Sequence, residues 1–271
     1  MIYLSSFQFS DKKVKNPYIY PYNIFSQKYE KLLLFAPITV LYGGNASGKS
    51  TMLNIMANRL QLEGHEYASC NRFGIEPYFK NFVDECAYTL GDDDDGRQFW
   101  AVPSKSRYIK SEDLLYEVKK IQQVQILEDG YIYEHIRRGM PKEQREALKN
   151  SNQMIWQMEC IKFAQEKYSN GETVMQMLDD YIEPDALYLL DEPEVSLSPE
   201  NQTKLAESLN RSARFLGCQF VISTHSPFML GTLNARIYNL DTKELEVSRW
   251  TELENVRYFY QFFEKHRHEF Q

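Results

Sequence analysis

Cysteine is scarce: Cys70, Cys86, Cys160 and Cys218 are the only four in 271 residues, and no two stand in C-x-x-C spacing. That excludes the usual zinc and redox motifs and any disulfide framework, so reduced thiols are expected. No run of 18 uninterrupted apolar residues occurs, which leaves no candidate transmembrane helix. The start, Met1-Ile2-Tyr3-Leu4-Ser5, lacks the charged region and long apolar stretch of a secretory signal. A soluble, cytoplasmic chain with no membrane partner is the expectation. Internal repeats and low-complexity linkers are absent as well. An excess of basic charge is also missing, because 38 acidic residues against 31 basic ones give a net charge of −7. The chain therefore has no global electrostatic footprint for nucleic acid, although a local basic face can exist within an acidic total.

What is present is a phosphate loop. The apolar run Ile38-Thr39-Val40-Leu41-Tyr42 leads into Gly43-Gly44-Asn45-Ala46-Ser47-Gly48-Lys49-Ser50-Thr51, which matches G-x-x-x-x-G-K-[ST] at every defined position. Glycines allow backbone N–H groups to turn inward around phosphates, and the helix expected from Ser50 presents its positive end to the same charge. Lys49 is expected to reach the β- and γ-phosphates, and the Ser50 hydroxyl to ligate Mg²⁺. A second apolar run, Ala186-Leu187-Tyr188-Leu189-Leu190, ends in Asp191-Glu192-Pro193. A buried parallel strand that delivers two carboxylates at its C-terminal edge suits the same chemistry, with Asp191 on the metal and Glu192 orienting or deprotonating water. A third, Gln219-Phe220-Val221-Ile222-Ser223, ends in Thr224-His225-Ser226-Pro227, and a histidine at that edge can sense a γ-phosphate.

Around these motifs, the first forty residues read as short strands and loops, including Leu32-Leu33-Leu34-Phe35. The stretch Phe82 to Leu90 also reads as strand and runs into Gly91-Asp92-Asp93-Asp94-Asp95-Gly96, an acidic hairpin tip. A strand at Arg107–Lys110 precedes a helix expected from Ser111, and helical spacing returns from Pro141 to Tyr168, where Met154, Ile155, Met158 and Ile161 lie close to one face. Tyr168-Ser169-Asn170-Gly171-Glu172 opens a further helix, where short polar residues can cap it or offer N–H groups to an anion from another subunit. The last helix spans about 252–264, with Val256, Phe259, Tyr260 and Phe263 on one face. Tyr and Phe number 19 and 16, enough for an aromatic-rich core or a protein-binding surface. Tyr22 and Phe25, shortly before the phosphate loop, could stack on a base or pack in the core.

Read in order, GGNASGKST at 43–51, SNGE at 169–172, LYLLDEPE at 187–194, SLSPE at 196–200 and STHSP at 223–227 resemble the ABC-type ATPases of the SMC, RecF and OLD-like branch. The resemblance is strongest to small stand-alone bacterial AAA family ATPases akin to the ATPase subunits of retron and Septu anti-phage systems, and it covers essentially the whole length. It implies an α/β P-loop NTPase fold with an ABC-type ATPase head, a mixed-sheet core plus an inserted helical lobe. One domain over 1–271 is expected, its core lobe about 1–110 and 185–271 and its helical signature lobe about 111–184. The resemblance further implies ATP in preference to GTP, Mg²⁺, and a homodimer that sandwiches nucleotide between heads. Ser169, Asn170 and Gly171 would then contact the γ-phosphate held by the opposite subunit, and Ser196 to Pro199 would form the loop beside the dimer axis.

The implied activity is ATP hydrolysis, with Glu192, His225 and Lys49 as catalytic groups, in a dimerising switch that controls a separate effector protein in anti-phage defence. Two other classes share the motifs. One is a RecF-like DNA-binding repair ATPase, for which Arg137, Arg138, Lys142, Arg145 and Lys149 are either phosphate contacts or a solvated helix face. The other is a transporter ATP-binding subunit, against which YSNGE in place of LSGGQ, and Ser-Pro after the histidine, favour the SMC-like branch. Glutamine-loop residues are not evident, the best candidates being Ser111, Glu112 or Asp113. About 120 residues between Gly48 and Ser169 are too few for a long antiparallel coiled coil at 1.5 Å per residue. About 46 after His225 are too few for a nuclease domain.

Overall fold

Ile38–Tyr42, Leu187–Asp191 and Gln219–Ser223 are buried at every residue in the computed structural model, as strands covered on both faces must be. The structure describes residues 1–270 except Pro17, Gln27, 29–31, 67–77, Asp94 and 115–169, and only the backbone at 170–173. The three runs are β3, β6 and β7 of a six-stranded sheet that also contains β5 (Arg107–Lys110), β8 (Arg236–Asn239) and β9 (Glu246–Val247). Its order is β5-β6-β7-β3-β8-β9, parallel except for the antiparallel edge pair β8-β9. A three-stranded antiparallel sheet, β2-β1-β4, is built from β1 (Leu4–Gln8), β2 (Leu32–Leu34) and β4 (Ala87–Leu90). The result is a mixed α/β fold with a mainly parallel central sheet.

Two compact units divide the chain. The first comprises Met1–Ser111, Ile182–Val195 and Gln202–Gln271, and holds both sheets. Between the sheets lies a core of Phe7, Phe9, Leu41, Met52, Leu53, Ile55 and Val221 with their neighbours. Helix α2 (Lys49–Leu60) leaves β3 through the phosphate loop and packs across β5, β6 and β7. The second unit comprises Glu112–Tyr181 and Ser196–Asn201. Its described part includes α4 (Asn170–Tyr181), which buries Val174 and Leu178 four residues apart. The helical spacing over 141–168, the basic residues 137–149, Cys70, Cys160 and Ser169 lie outside the described residues. No described helix is long and apolar enough to cross a membrane.

The stretch read as strand from Phe82 is corrected: Tyr78–Glu85 is a helix, α3, and only Ala87–Leu90 is strand. Phe79, Phe82 and Val83 recur at helical spacing, and Phe82 meets Tyr22 edge-on at 4.9 Å and Phe25 at 4.9 Å. Packing of that face outweighs the β-propensity of its aromatic residues. The same contacts settle Tyr22 and Phe25. Phe25 also packs at 4.5 Å, tilted, against Phe9, and Tyr22 donates its hydroxyl to Glu85, so both are core residues with no face left for a base. The acidic tip is a self-bonded turn, in which Asp93 Oδ1 accepts from the N–H groups of Asp95 and Arg97.

Several side chains join the two sheets, among them Tyr238 and Arg236 of β8, which bond the backbone of Leu34 in β2. Gln219, fully buried at the start of β7, accepts through Oε1 from the N–H groups of Tyr3 and Leu4, both at 2.8 Å, and donates through Nε2 to Leu4 O at 2.9 Å. Tyr3 and Leu4 are both buried, so their backbone groups depend on partners within the protein. Gln219→Leu is therefore expected to lower unfolding free energy by about 3 kcal/mol. Urea denaturation checks this, and a loss within measurement error would show that water satisfies the exposed amides instead.

Candidate functional site

Parallel register brings the three motifs to one edge. Leu41 of β3 and Asp191 of β6 both pair with Ser223 of β7, so the segments that follow these strands, 43–49, 192–194 and 224–226, emerge side by side. At the first of them, Gly48 adopts φ +97°, and a Cβ there would meet Ile24 Cγ2 at 2.7 Å. Gly48 is also the N-cap of α2, and no side chain caps that helix. The first-turn N–H groups are thus left for something other than a side chain. Ala46 takes the left-handed conformation as well, at φ +64°. Ser47 Oγ, beside it, is buried with no hydrogen-bond partner among the described residues.

Lys49 is buried, and its ammonium donates to Gly43 O at 2.9 Å and Gly44 O at 3.2 Å. It also lies 3.5 Å from Glu192 Oε1, and the same oxygen is 3.6 Å from His225 Nδ1. An ammonium, a carboxylate and an imidazole therefore converge at the mouth of the phosphate loop. Glu192 holds φ +48°, unusual for a residue with a Cβ, and is retained there because its N–H donates to both Ser223 O at 3.1 Å and Ser223 Oγ at 3.0 Å. Ser223 Oγ in turn donates to Asp191 Oδ1, and Tyr108 OH donates to Asp191 Oδ2 at 3.2 Å. His225 is fixed from the other side, since Ser226 caps α6 (Pro227–Thr232) by accepting from Phe228 N and Met229 N, with Pro227 at the first helical position.

The structure thus brings together Gly43, Gly44, Asn45, Ala46, Ser47, Gly48, Lys49, Ser50, Thr51, Asp191, Glu192 and His225, all in the first unit. Asn170 and Gly171 begin α4 in the second unit. Among the described residues no cluster of three or more His, Cys, Asp or Glu could cage a metal. The exposed Ser50 hydroxyl and the Asp191 carboxylate are hard oxygen donors that suit Mg²⁺, which normally completes its octahedron with water and phosphate oxygens. The uncapped helix start, the unpartnered Ser47 hydroxyl and buried Lys49 likewise fit a polyphosphate.

Five further participants have no role assigned from the sequence. Besides Ser223 and Tyr108, Asp241 accepts from Gly44 N–H through both oxygens at 2.9 and 3.1 Å, tying the end of β8 to the loop. Asn255 donates from its side chain to His225 O at 3.2 Å and from its backbone to Tyr42 OH at 3.2 Å. Glu194 is buried behind His225, where it accepts from Thr224 Oγ1 and from His225 N–H at 3.4 Å. Its second oxygen has no partner among the described residues. Glu194 and Ser223 lie within LYLLDEPE and STHSP, and the others become visible only through the fold.

The sequence model of a family described as "AAA domain, putative AbiEii toxin, Type IV TA system" matches residues 80–231. No curated protein sequence matches the chain. Among solved structures, the Smc head of Pyrococcus furiosus, bound to the C-terminal domain of ScpA, is 14% identical over 88% of this chain and 93% of its own, with a TM-score of 0.42. Stu0660 of Streptococcus thermophilus is 18% identical over 96% and 80%, with a TM-score of 0.42. The bacterial ABC transporter cassette MJ0796, solved as a dimer, is 16% identical over 91% and 97%, also at 0.42.

Burial pushes the Glu194 carboxyl above the usual carboxylate range, against the opposing hydrogen bonds from Thr224 and His225. Folding therefore favours the protonated form. Its contribution is fully present below the unfolded carboxylate value, about 4.3, and is lost as pH rises through the raised folded value. Glu194→Gln, neutral at every pH, is expected to match the wild type in acid and to exceed its stability progressively as pH climbs toward neutrality. Unfolding midpoints measured from about pH 4 to about pH 8 test this. A difference between the two proteins that does not change with pH would refute it.

Proposed function

We propose that this chain, which belongs to the AAA-domain family matched over residues 80–231, is a Mg²⁺-dependent ATPase whose copies close on nucleotide and thereby control a separate effector. The observation that carries this reading is the convergence of Lys49 and His225 on one oxygen of Glu192, beside an uncapped helix start. Bound Mg²⁺ would neutralise phosphate charge, with Ser50 and Asp191 as its protein ligands. Lys49, the loop amides and the first turn of α2 bind and orient the phosphates. Glu192 then exchanges its ion pair with Lys49 for a hydrogen bond to the attacking water, and takes that water's proton at a carboxylate oxygen as the water oxygen bonds to the γ-phosphorus and the bond to the bridging oxygen breaks, leaving ADP and phosphate. His225, whose carbonyl is fixed by Asn255, presents its ring to the terminal phosphate and registers its loss.

Ser169, Asn170 and Gly171 would serve the nucleotide of the opposite copy, so two heads complete each site. A family description that names a toxin and a TA system, together with the anti-phage resemblance of the motifs, supports a defence role with a protein effector. Lys49→Ala is expected to abolish tight ATP binding, and Glu192→Gln to retain ATP while lowering phosphate release about a hundredfold or more. Calorimetry and steady-state phosphate release provide the two readouts. Unaltered turnover by the glutamine variant would remove Glu192 from proton transfer. ATP-dependent association in the Glu192→Gln background should disappear when Ser169→Arg is added, as judged by sedimentation with and without Mg-ATP once any nucleotide-independent oligomer contact is subtracted.

A further inference from the structure

The C-terminal helix α7 (Glu254–Lys265) buries Leu253 and Val256 at its start and leaves the rest of its apolar face in solvent. Phe259, Tyr260 and Phe263 extend the line begun by Val256, and Tyr258 and Phe262 widen it. The exposures decide the point: Tyr258 is 66%, Tyr260 68%, Phe263 54% and the following Phe270 75% exposed. A soluble helix normally turns charge outward, and single exposed aromatics are ordinary, but six on adjoining turns form a contiguous patch. The polar edge has its own pattern. Arg257 and Glu264 stand seven residues apart, two turns along the same side of the helix, and are opposite in sign.

We propose that α7 is a contact between two copies of this chain, an antiparallel pairing about a two-fold axis near Tyr260 and Gln261 that does not require nucleotide. Charge complementarity selects a second copy as the occupant. In that arrangement Arg257 of each copy faces Glu264 of the other, which otherwise holds only an exposed ion pair with Arg267 of its own copy at 3.7 Å, whereas a parallel pairing would juxtapose like charges. Area agrees. Tyr258 stands about 160° round the helix from Tyr260 and is left outside the contact. An aromatic side chain offers roughly 200 Å², so the other five at these exposures present roughly 570 Å² per copy. Two copies then bury roughly 1,100 Å², above the roughly 1,000 Å² that a specific interface needs. The contact rests only on α7 and its flank, independently of how the phosphate loop is used.

Sedimentation equilibrium of the nucleotide-free full chain at micromolar concentration tests the pairing. The wild type is expected to be dimeric, and Phe259→Glu/Phe263→Glu to be monomeric with an unchanged thermal midpoint, because both side chains are exposed in the single copy. Arg257→Glu alone and Glu264→Arg alone should each weaken association about tenfold, and the two combined should restore it, since reversing both signs recreates the complementary pattern. A nucleotide-free wild-type monomer would overturn the proposal, as would a dimer indifferent to the double glutamate variant. Failure of the charge-reversed pair to recover would also overturn it, by assigning the patch to a different protein or a different geometry.

Discussion

Asp191 and Ser223 face each other across β6 and β7, and most of the site follows from that pairing. The Ser223 hydroxyl donates to the Asp191 carboxylate and accepts from the Glu192 N–H, while its own carbonyl accepts from that N–H as well. Two functions are met by one residue. The carboxylate of Asp191 is oriented, and the backbone of Glu192 is held in a left-handed conformation that it would otherwise leave. That conformation turns the chain sharply at the strand end and aims Glu192 toward Lys49, away from the course that a straight strand would give it. A one-residue slip between β6 and β7 would move Ser223 to the opposite face of the sheet and dismantle both contacts.

Register at this edge is protected by burial. β3, β6 and β7 carry no exposed residue, so no slipped alternative keeps their apolar side chains covered. Gln219 adds a polar lock at the other end of β7, four residues from Ser223, where it satisfies backbone groups of β1 and couples the antiparallel sheet to the parallel one. Burying an amide among apolar neighbours is favourable only when each donor and acceptor is used. The arrangement therefore penalises misalignment more than it stabilises the correct state, and it sets the height at which β7 delivers His225.

The phosphate loop, the paired carboxylates and the histidine were legible in the sequence because their chemistry demands particular residues at short fixed spacings after an apolar strand. Tyr108, Asp241 and Asn255 were not, nor was the role of Ser223 within STHSP, because their partners lie 30 to 197 positions away and serine, tyrosine, aspartate and asparagine occur everywhere for other reasons. The misreading of Phe82–Glu85 has a different cause. A short apolar run carries both periods, and only the aromatic face of Tyr22 and Phe25, sixty residues upstream, selects the helical one. For α7 the sequence disclosed the periodic face correctly, but amphipathicity specifies that a face is apolar without specifying what covers it.

Asn255 links that face to the nucleotide site. It stands in the first turn of α7, where its side-chain amide holds the carbonyl of His225 and its backbone N–H meets Tyr42 OH at the end of β3. The helix therefore cannot tilt about its N-terminus without either breaking two hydrogen bonds or carrying His225 with it. Each such bond is worth about 1 kcal/mol, small enough to exchange and large enough to bias the imidazole. A load applied to the exposed aromatic turns acts at the far end of a 12-residue helix about 18 Å long, whose first turn is bonded to His225. Whatever contact α7 makes is consequently in mechanical series with His225. By linkage, any preference of that contact for one tilt must be returned as a preference of His225 for one position.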